Sequence, residues 1–174
     1  LRLDFLDTDT DDRRLQLRQV RSPQRDKLET LFQLLCTLGT QPSLVFVNHR
    51  ESVERIARFL REHRYPCSAF HGGMEQDDRE RALYRFRNGT CTALICTDLA
   101  ARGLDIEGVG AVIHYHLPLQ ADAFTHRNGR TARWTATGTS YLLLAPDEHL
   151  PDYVEGDVPE LPLPDAPAPV PRPA

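Results

Sequence analysis

The chain has 174 residues, 40% hydrophobic and 26% charged, which is long enough for one domain with a substantial core. No stretch approaches the roughly 18 consecutive apolar residues of a membrane helix, and no signal-peptide pattern opens the chain, so no membrane partner is expected. The net charge of -4 conceals a division: residues 1–12 carry five acids against Arg2, residues 147–174 carry seven against Arg172, and residues 13–146 hold 19 basic and 13 acidic residues. The central region is thus basic, and all its cations but Lys27 are arginine, whose planar fork suits phosphate. A polyanion partner and a merely solvated surface both fit that balance.

In chain order, residues 1–12 read as an acidic flexible lead-in, and the start at Leu1 without methionine reads as a piece of a longer protein. Leu15, Leu17 and Val20 predict a short strand, and Ser22-Pro23 a helix start by N-cap and N1 logic. Leu28, Leu31, Phe32, Leu35 and Leu38 give that helix its apolar face, and Gly39 stops it. Apolar runs then predict strands at Leu44–Val47, Cys67–Phe70, Ala93–Cys96 and Ala111–Tyr115. Helical periods lie between them at Glu51–His63 and Gln76–Phe86. A last helix at Ala121–Arg130 precedes a strand at Thr139–Leu144. Alternation with short links predicts a three-layer α/β fold whose mostly parallel sheet is covered on both faces.

Nine of the thirteen prolines fall between Pro146 and Pro173, which predicts a disordered tail or linker over 147–174. The four cysteines (Cys36, Cys67, Cys91 and Cys96) show neither Cys-x-x-Cys spacing nor a histidine at zinc-ligand distance. They read as reduced core thiols of a cytoplasmic protein with no metal of its own.

Ligands of open α/β sheets bind beyond the carboxyl ends of the strands. There the sequence places Asn48-His49-Arg50, His71-Gly72-Gly73, Thr97-Asp98 and His116. Gly72-Gly73 fits a tight turn, and equally a close approach of backbone to phosphodiester. Arg79, in the first turn of a helix, fits either a phosphate contact or an ion pair with Glu75 or Glu80. Thr97 and Asp98 both suit an N-cap. Asp105, between Leu104 and Ile106, needs a partner such as a ribose hydroxyl. In His126-Arg127-Asn128-Gly129-Arg130-Thr131-Ala132-Arg133, helical spacing puts His126, Arg130 and Arg133 on one face and turns Arg127 elsewhere. No acid occurs between Thr125 and Tyr141. Such a face calls for a strongly anionic visitor, and a phosphoryl group in transfer is one.

These segments, in this order, resemble the second helicase domain of DEAD-box proteins. Leu44–Arg50 resembles motif IV, His71–Arg79 motif IVa, Thr97–Ile106 motif V and His126–Arg133 motif VI, over about residues 13–146. The resemblance implies a RecA-like, P-loop-NTPase-type fold and the C-terminal half of an ATP-dependent RNA helicase. It implies that Arg130 and Arg133 reach the γ-phosphate as arginine fingers with His126 coupling the site to a partner domain. Asp105 would contact the ATP ribose, and His49, Arg50, Gly72, Arg79 and Thr97 would line the RNA backbone. His49 departs from the family's frequent threonine, and Ala132 from its usual glycine. No G-x-x-x-x-G-K-[ST] loop and no Asp-Glu-Ala-Asp segment occurs. ATP and Mg²⁺ would therefore be held mainly by an N-terminal RecA-like domain, leaving this domain inactive alone. A stand-alone RNA-binding module and a related DNA helicase or translocase are the alternative readings.

Overall fold

The computed structural model describes residues 15–102, 106, 109–130 and 138–163. Strands β1 (Leu15–Arg21), β2 (Ser43–Val47), β3 (Cys67–Phe70), β4 (Ala93–Thr97), β5 (Ala111–His114) and β6 (Gly138–Leu144) form one sheet in the order β1-β6-β5-β2-β4-β3, and every pair is parallel. Helices α1 (Leu28–Leu38), α2 (Arg50–Glu62), α3 (Gln76–Arg87), α4 (Asp98–Ala101) and α5 (Ala121–Asn128) provide the crossovers. The strand's two-residue period explains the layering. Val45 and Val47 of β2 join the apolar faces of α1 and α2, whereas Leu44 and Phe46 point the other way, toward Ala82 and Phe86 of α3 and Ala101 of α4. The sheet is covered on both faces, as its near-continuous apolar strands require.

Two boundaries differ from expectation by more than one residue. Ser22 does not open a helix; its hydroxyl closes a local turn with the amide and carbonyl of Gln24. Helix α1 begins at Leu28, whose amide donates to the Asp26 carboxylate at 3.2 Å. The delay lets Lys27 bury its ammonium, which donates to the Leu143 carbonyl and to Glu148, each at 3.0 Å. Burial lowers the Lys27 pKa, while Glu148 acts against the shift. Helix α5 stops at Asn128, two residues before its expected end.

The larger correction concerns the proline-rich end. Residues expected to be a solvated tail from 147 onward are packed as far as Leu163. Val158 is buried, and Leu161 and Leu163 lie against the core. The Gln19 amide donates to the Pro159 carbonyl, and the Leu161 amide to the Gln19 carbonyl, both at 2.9 Å, so the segment runs parallel beside β1. Edge pairing uses only alternate backbone groups, so prolines between them cost no hydrogen bond. Residues 164–174 and 1–12 lie outside the described residues. The four cysteines are free; burial pushes the Cys67 thiol up to about 11 and Cys96 up to about 12. Among the described residues no helix is long and apolar enough to cross a membrane.

Truncation after Ala145 uncovers the seats of Val158, Leu161 and Leu163, and is expected to lower unfolding free energy by about 2–4 kcal/mol. Urea denaturation of the truncated and intact chains measures it, and coincident midpoints would restore the solvated-tail description.

Candidate active site at the carboxyl ends of the strands

The strand order reverses at β2 and β5, neighbours whose succeeding helices leave toward opposite faces, and a crevice forms at such a point. Its floor is a buried guanidinium. Arg127, from α5, is 1% exposed. Its Nε and Nη2 donate to the two Asp98 carboxylate oxygens at 2.7 Å each. Nη2 also donates to Asn48 Oδ1 at 2.9 Å, and Nη1 to the His116 carbonyl at 2.8 Å. The guanidinium lies over the Phe46 ring, 5.1 Å from its centroid. One side chain thereby ties α5 to the carboxyl ends of β2, β4 and β5. A bidentate, fully bonded arrangement is what makes a buried charge tolerable.

Two imidazoles support it from below. His114 is fully buried, with Nδ1 3.3 Å from Arg127 Nη1 and Nε2 3.0 Å from Asn128 Oδ1. Burial first, and then the neighbouring Arg127 charge, bring its pKa down to about 3. His114 is therefore neutral, with Nδ1 accepting from arginine and the Nε2 proton directed at Asn128. His116 Nδ1 accepts from the Asn48 amide at 3.0 Å. Burial, then Lys27, His49 and Arg127, lower its pKa to about 4.

Above this floor lies a cavity of about 720 Å³, whose lining includes Asp98, Arg102, His126, Arg127 and Arg130. The exposed His126, on α5, and the half-buried Arg130, two residues past its end, line the same cavity. Arg130 Nη2 donates to the Ala101 carbonyl at 2.9 Å. Asp98 is committed to Arg127, so its carboxylate leaves the cavity wall cationic. Arg133 and Asp105 lie outside the described residues.

The second group of expected residues runs along the ends of β2, β3 and β4. His49 and Arg50 are exposed, and the His49 ring sits 6.0 Å from that of His116. Gly72 is open, whereas a β-carbon on Gly73 would come within 3.0 Å of Arg50 Nη1, so the guanidinium rests against bare backbone. The Gly73 amide is already taken, donating to His71 Nδ1 at 3.0 Å, and His71 Nε2 lies 2.6 Å from Glu54. Arg79 stacks over Phe70 at 5.6 Å, and its shielded Nε has no acceptor; neither Glu75 nor Glu80 pairs with it. Thr97 rather than Asp98 caps α4: its Oγ1 accepts from the Ala100 amide at 3.3 Å. The hydroxyl proton of Thr97 still has freedom to donate elsewhere. Sequence reasoning missed the roles of Asp98, Asn48, His114 and Asn128. The signal was an acid that Thr97 alone separates from an apolar run, facing the one motif arginine that spacing turns away from the others.

Residues 26–135 match the model of the helicase conserved C-terminal domain. The chain belongs to that family. Over 124 residues it is 47% identical to the ATP-dependent RNA helicase MAK5 of Pyricularia oryzae, an overlap of 70% of this chain and 16% of that protein. Eukaryotic initiation factor 4A of Cryptosporidium parvum is 38% identical over 122 residues, 70% of this chain and 30% of that one. Among solved structures, the E. coli DEAD-box protein SrmB bound to regulator of ribonuclease activity A superposes with TM-score 0.75 and 32% identity, covering 89% of this chain and 96% of that chain. S. cerevisiae Dbp5 bound to RNA and ADP BeF3 gives 0.68 and 26%, covering 78% and 37%. The helicase C-terminal domain is thus of the DEAD-box kind, and its chain spans about a sixth of the MAK5 relative's length. The expected cytoplasmic location does not stand against MAK5 relatives. It rested on reduced thiols, which nuclear and cytosolic proteins share.

The buried imidazoles give the helicase C-terminal domain a pH signature. Both folded-state values lie below the unfolded value near 6.5, so on acidification the unfolded chain takes up protons first. Stability is expected to fall from about pH 6.5 downward, by up to about 1.4 kcal/mol per pH unit for each imidazole, until protonation of the folded state near 4 for His116 and near 3 for His114. Urea midpoints between pH 7.5 and 5 test this, and a flat profile would contradict neutral burial of the pair.

Proposed function

We propose that this domain is the second half of an ATP-dependent RNA helicase active site, completed by an N-terminal RecA-like domain that holds ATP and Mg²⁺. One observation carries the reading: Arg127 neutralises Asp98, so the cavity presents Arg102, His126 and Arg130 without a free carboxylate among the described residues of its wall other than Asp122. These groups fit the phosphate end of a nucleotide and are too few to hold the whole of it. The sequence carries neither a phosphate loop nor the acidic segment that would hold the metal. Bound ATP supplies the transferable phosphoryl group. On closure of the two domains, Arg130 donates to its oxygens as charge spreads over them, and Arg133 is assigned the same task. His126, at the cavity mouth, couples that site to the partner domain, and Asp105 is assigned to the ribose. Arg127 does not touch the nucleotide; its hydrogen bonds to Asp98, Asn48, His114 and His116 fix the end of α5, and Arg130 follows two residues beyond it.

Arg50, Gly72, Arg79 and Thr97 are assigned to the sugar–phosphate backbone of RNA, with His49 beside them. The support is geometric: one guanidinium lying on bare backbone, another with an unsatisfied Nε, and a hydroxyl whose proton is uncommitted. Such contacts position a strand and read no bases. Unwinding follows from holding one strand in a shape its complement cannot share, and hydrolysis then releases it.

Substituting Arg130→Ala in the complete protein is expected to lower RNA-stimulated ATP turnover by about 10³–10⁵-fold, which corresponds to roughly 4–7 kcal/mol of barrier. Steady-state phosphate release with saturating RNA measures it. Unchanged turnover would remove Arg130 from the reaction and favour a stand-alone RNA-binding module.

A further inference from the structure

The two outer edges of the sheet are treated differently. The edge at β1 is covered by the chain itself, through the hydrogen bonds between Gln19 and residues 159 and 161. At the other end β3 pairs only with β4, and no backbone hydrogen bond of the described residues engages its outer side. Along it runs a cavity of about 520 Å³, walled by Arg61 and Arg64 at the end of α2 and by Arg81 and Arg85 of α3. These helices pack on opposite faces of the sheet, so cations flank the open edge above and below.

Arginine on an edge strand can serve simply to repel other strands. Three features here exceed that role. Both carboxylates in the groove are engaged, Glu54 by His71 at 2.6 Å and Asp78 by Arg81 at 3.0 Å, and no ion pair of the described residues involves Arg61, Arg64 or Arg85. The Arg85 Nε is shielded from water and has no acceptor, a state that buried donors avoid unless a partner supplies one. Arg64 has φ of +60°, the sole positive φ of a described non-glycine residue. Glycine adopts that helix-ending conformation without strain, yet the chain keeps a long cation there.

We propose that this edge is a docking groove for an extended acidic segment of a partner protein, which adds to β3 as a seventh strand. Backbone N–H and C=O groups would pair with the open edge, and alternate side chains would turn to the two faces. Carboxylates on successive residues then meet the arginines of α2 on one side and of α3 on the other. A peptide is favoured over RNA because a strand edge offers both donors and acceptors, whereas a phosphodiester returns acceptors only. The proposal stands apart from the nucleotide site, which lies at the carboxyl ends of the strands.

The test uses the intact chain and a fluorescein-labelled ten-residue peptide of Glu, Asp, Val and Thr, with oligouridylate as a second probe. Anisotropy should show saturable peptide binding, weakened at least tenfold by Arg61→Glu with Arg64→Glu. Amide exchange at Cys67–Phe70 should slow in the complex. Because charge reversal can disturb folding, Arg64→Gly provides a second arm: it relieves the positive φ, so the urea midpoint should rise while peptide affinity falls at least threefold. Equal peptide affinity in all variants would overturn the proposal, as would binding that leaves exchange at β3 unchanged. It would fall equally if the substitutions weakened oligouridylate binding and left the peptide untouched.

Discussion

The Arg127 guanidinium is the interaction on which the site depends. A positive charge buried to 1% exposure would be intolerable without partners, and its partners come from the ends of three strands. Asp98 follows β4, Asn48 follows β2 and the His116 carbonyl follows β5. The same side chain therefore draws strand ends together, fixes α5 above them and removes the charge of Asp98 from the cavity. His126 on α5 and Arg130 just past its end inherit their positions from that bond network. The neutral His114 beneath it completes the arrangement, since a charged imidazole could not accept from arginine.

The fold was legible because buried parallel strands and amphipathic helices leave periodic traces. Leu44–Val47 or Ile56 and Leu60 of α2 declare their faces without knowledge of their neighbours. The candidate site was legible in part, through a family resemblance in segments rich in arginine and glycine. Spacing alone turned Arg127 away from Arg130, and the structure adds where it goes. No local pattern could say that Asp98 would serve Arg127 and leave Thr97 to cap α4, because that exchange is decided between residues 29 positions apart.

The same limit explains the misreadings. Proline density made 147–174 look incapable of packing, and composition carries no knowledge of an open strand edge waiting beside Gln19. Val158 and Leu161, sparse among prolines, suffice because the core already stands. Ser22-Pro23 carries a good helix-start pattern, yet the pull of a buried site for the Lys27 ammonium and the bond from the Leu28 amide to the Asp26 carboxylate set the start at Leu28. In each case a tertiary partner overrode a local preference that was correct in itself.

A double-mutant cycle on Asp98→Asn and Arg127→Met, read as unfolding free energies in urea, tests the account most directly. Asp98→Asn leaves the buried guanidinium without its counter-charge, Arg127→Met leaves the half-buried Asp98 carboxylate without its partner, and the pair removes both. The account predicts strong non-additivity, a coupling of about 2–3 kcal/mol at the upper end for contacting charges. Additive effects would mean that the guanidinium is not held by Asp98, and the orientation of Arg130 would then need another cause.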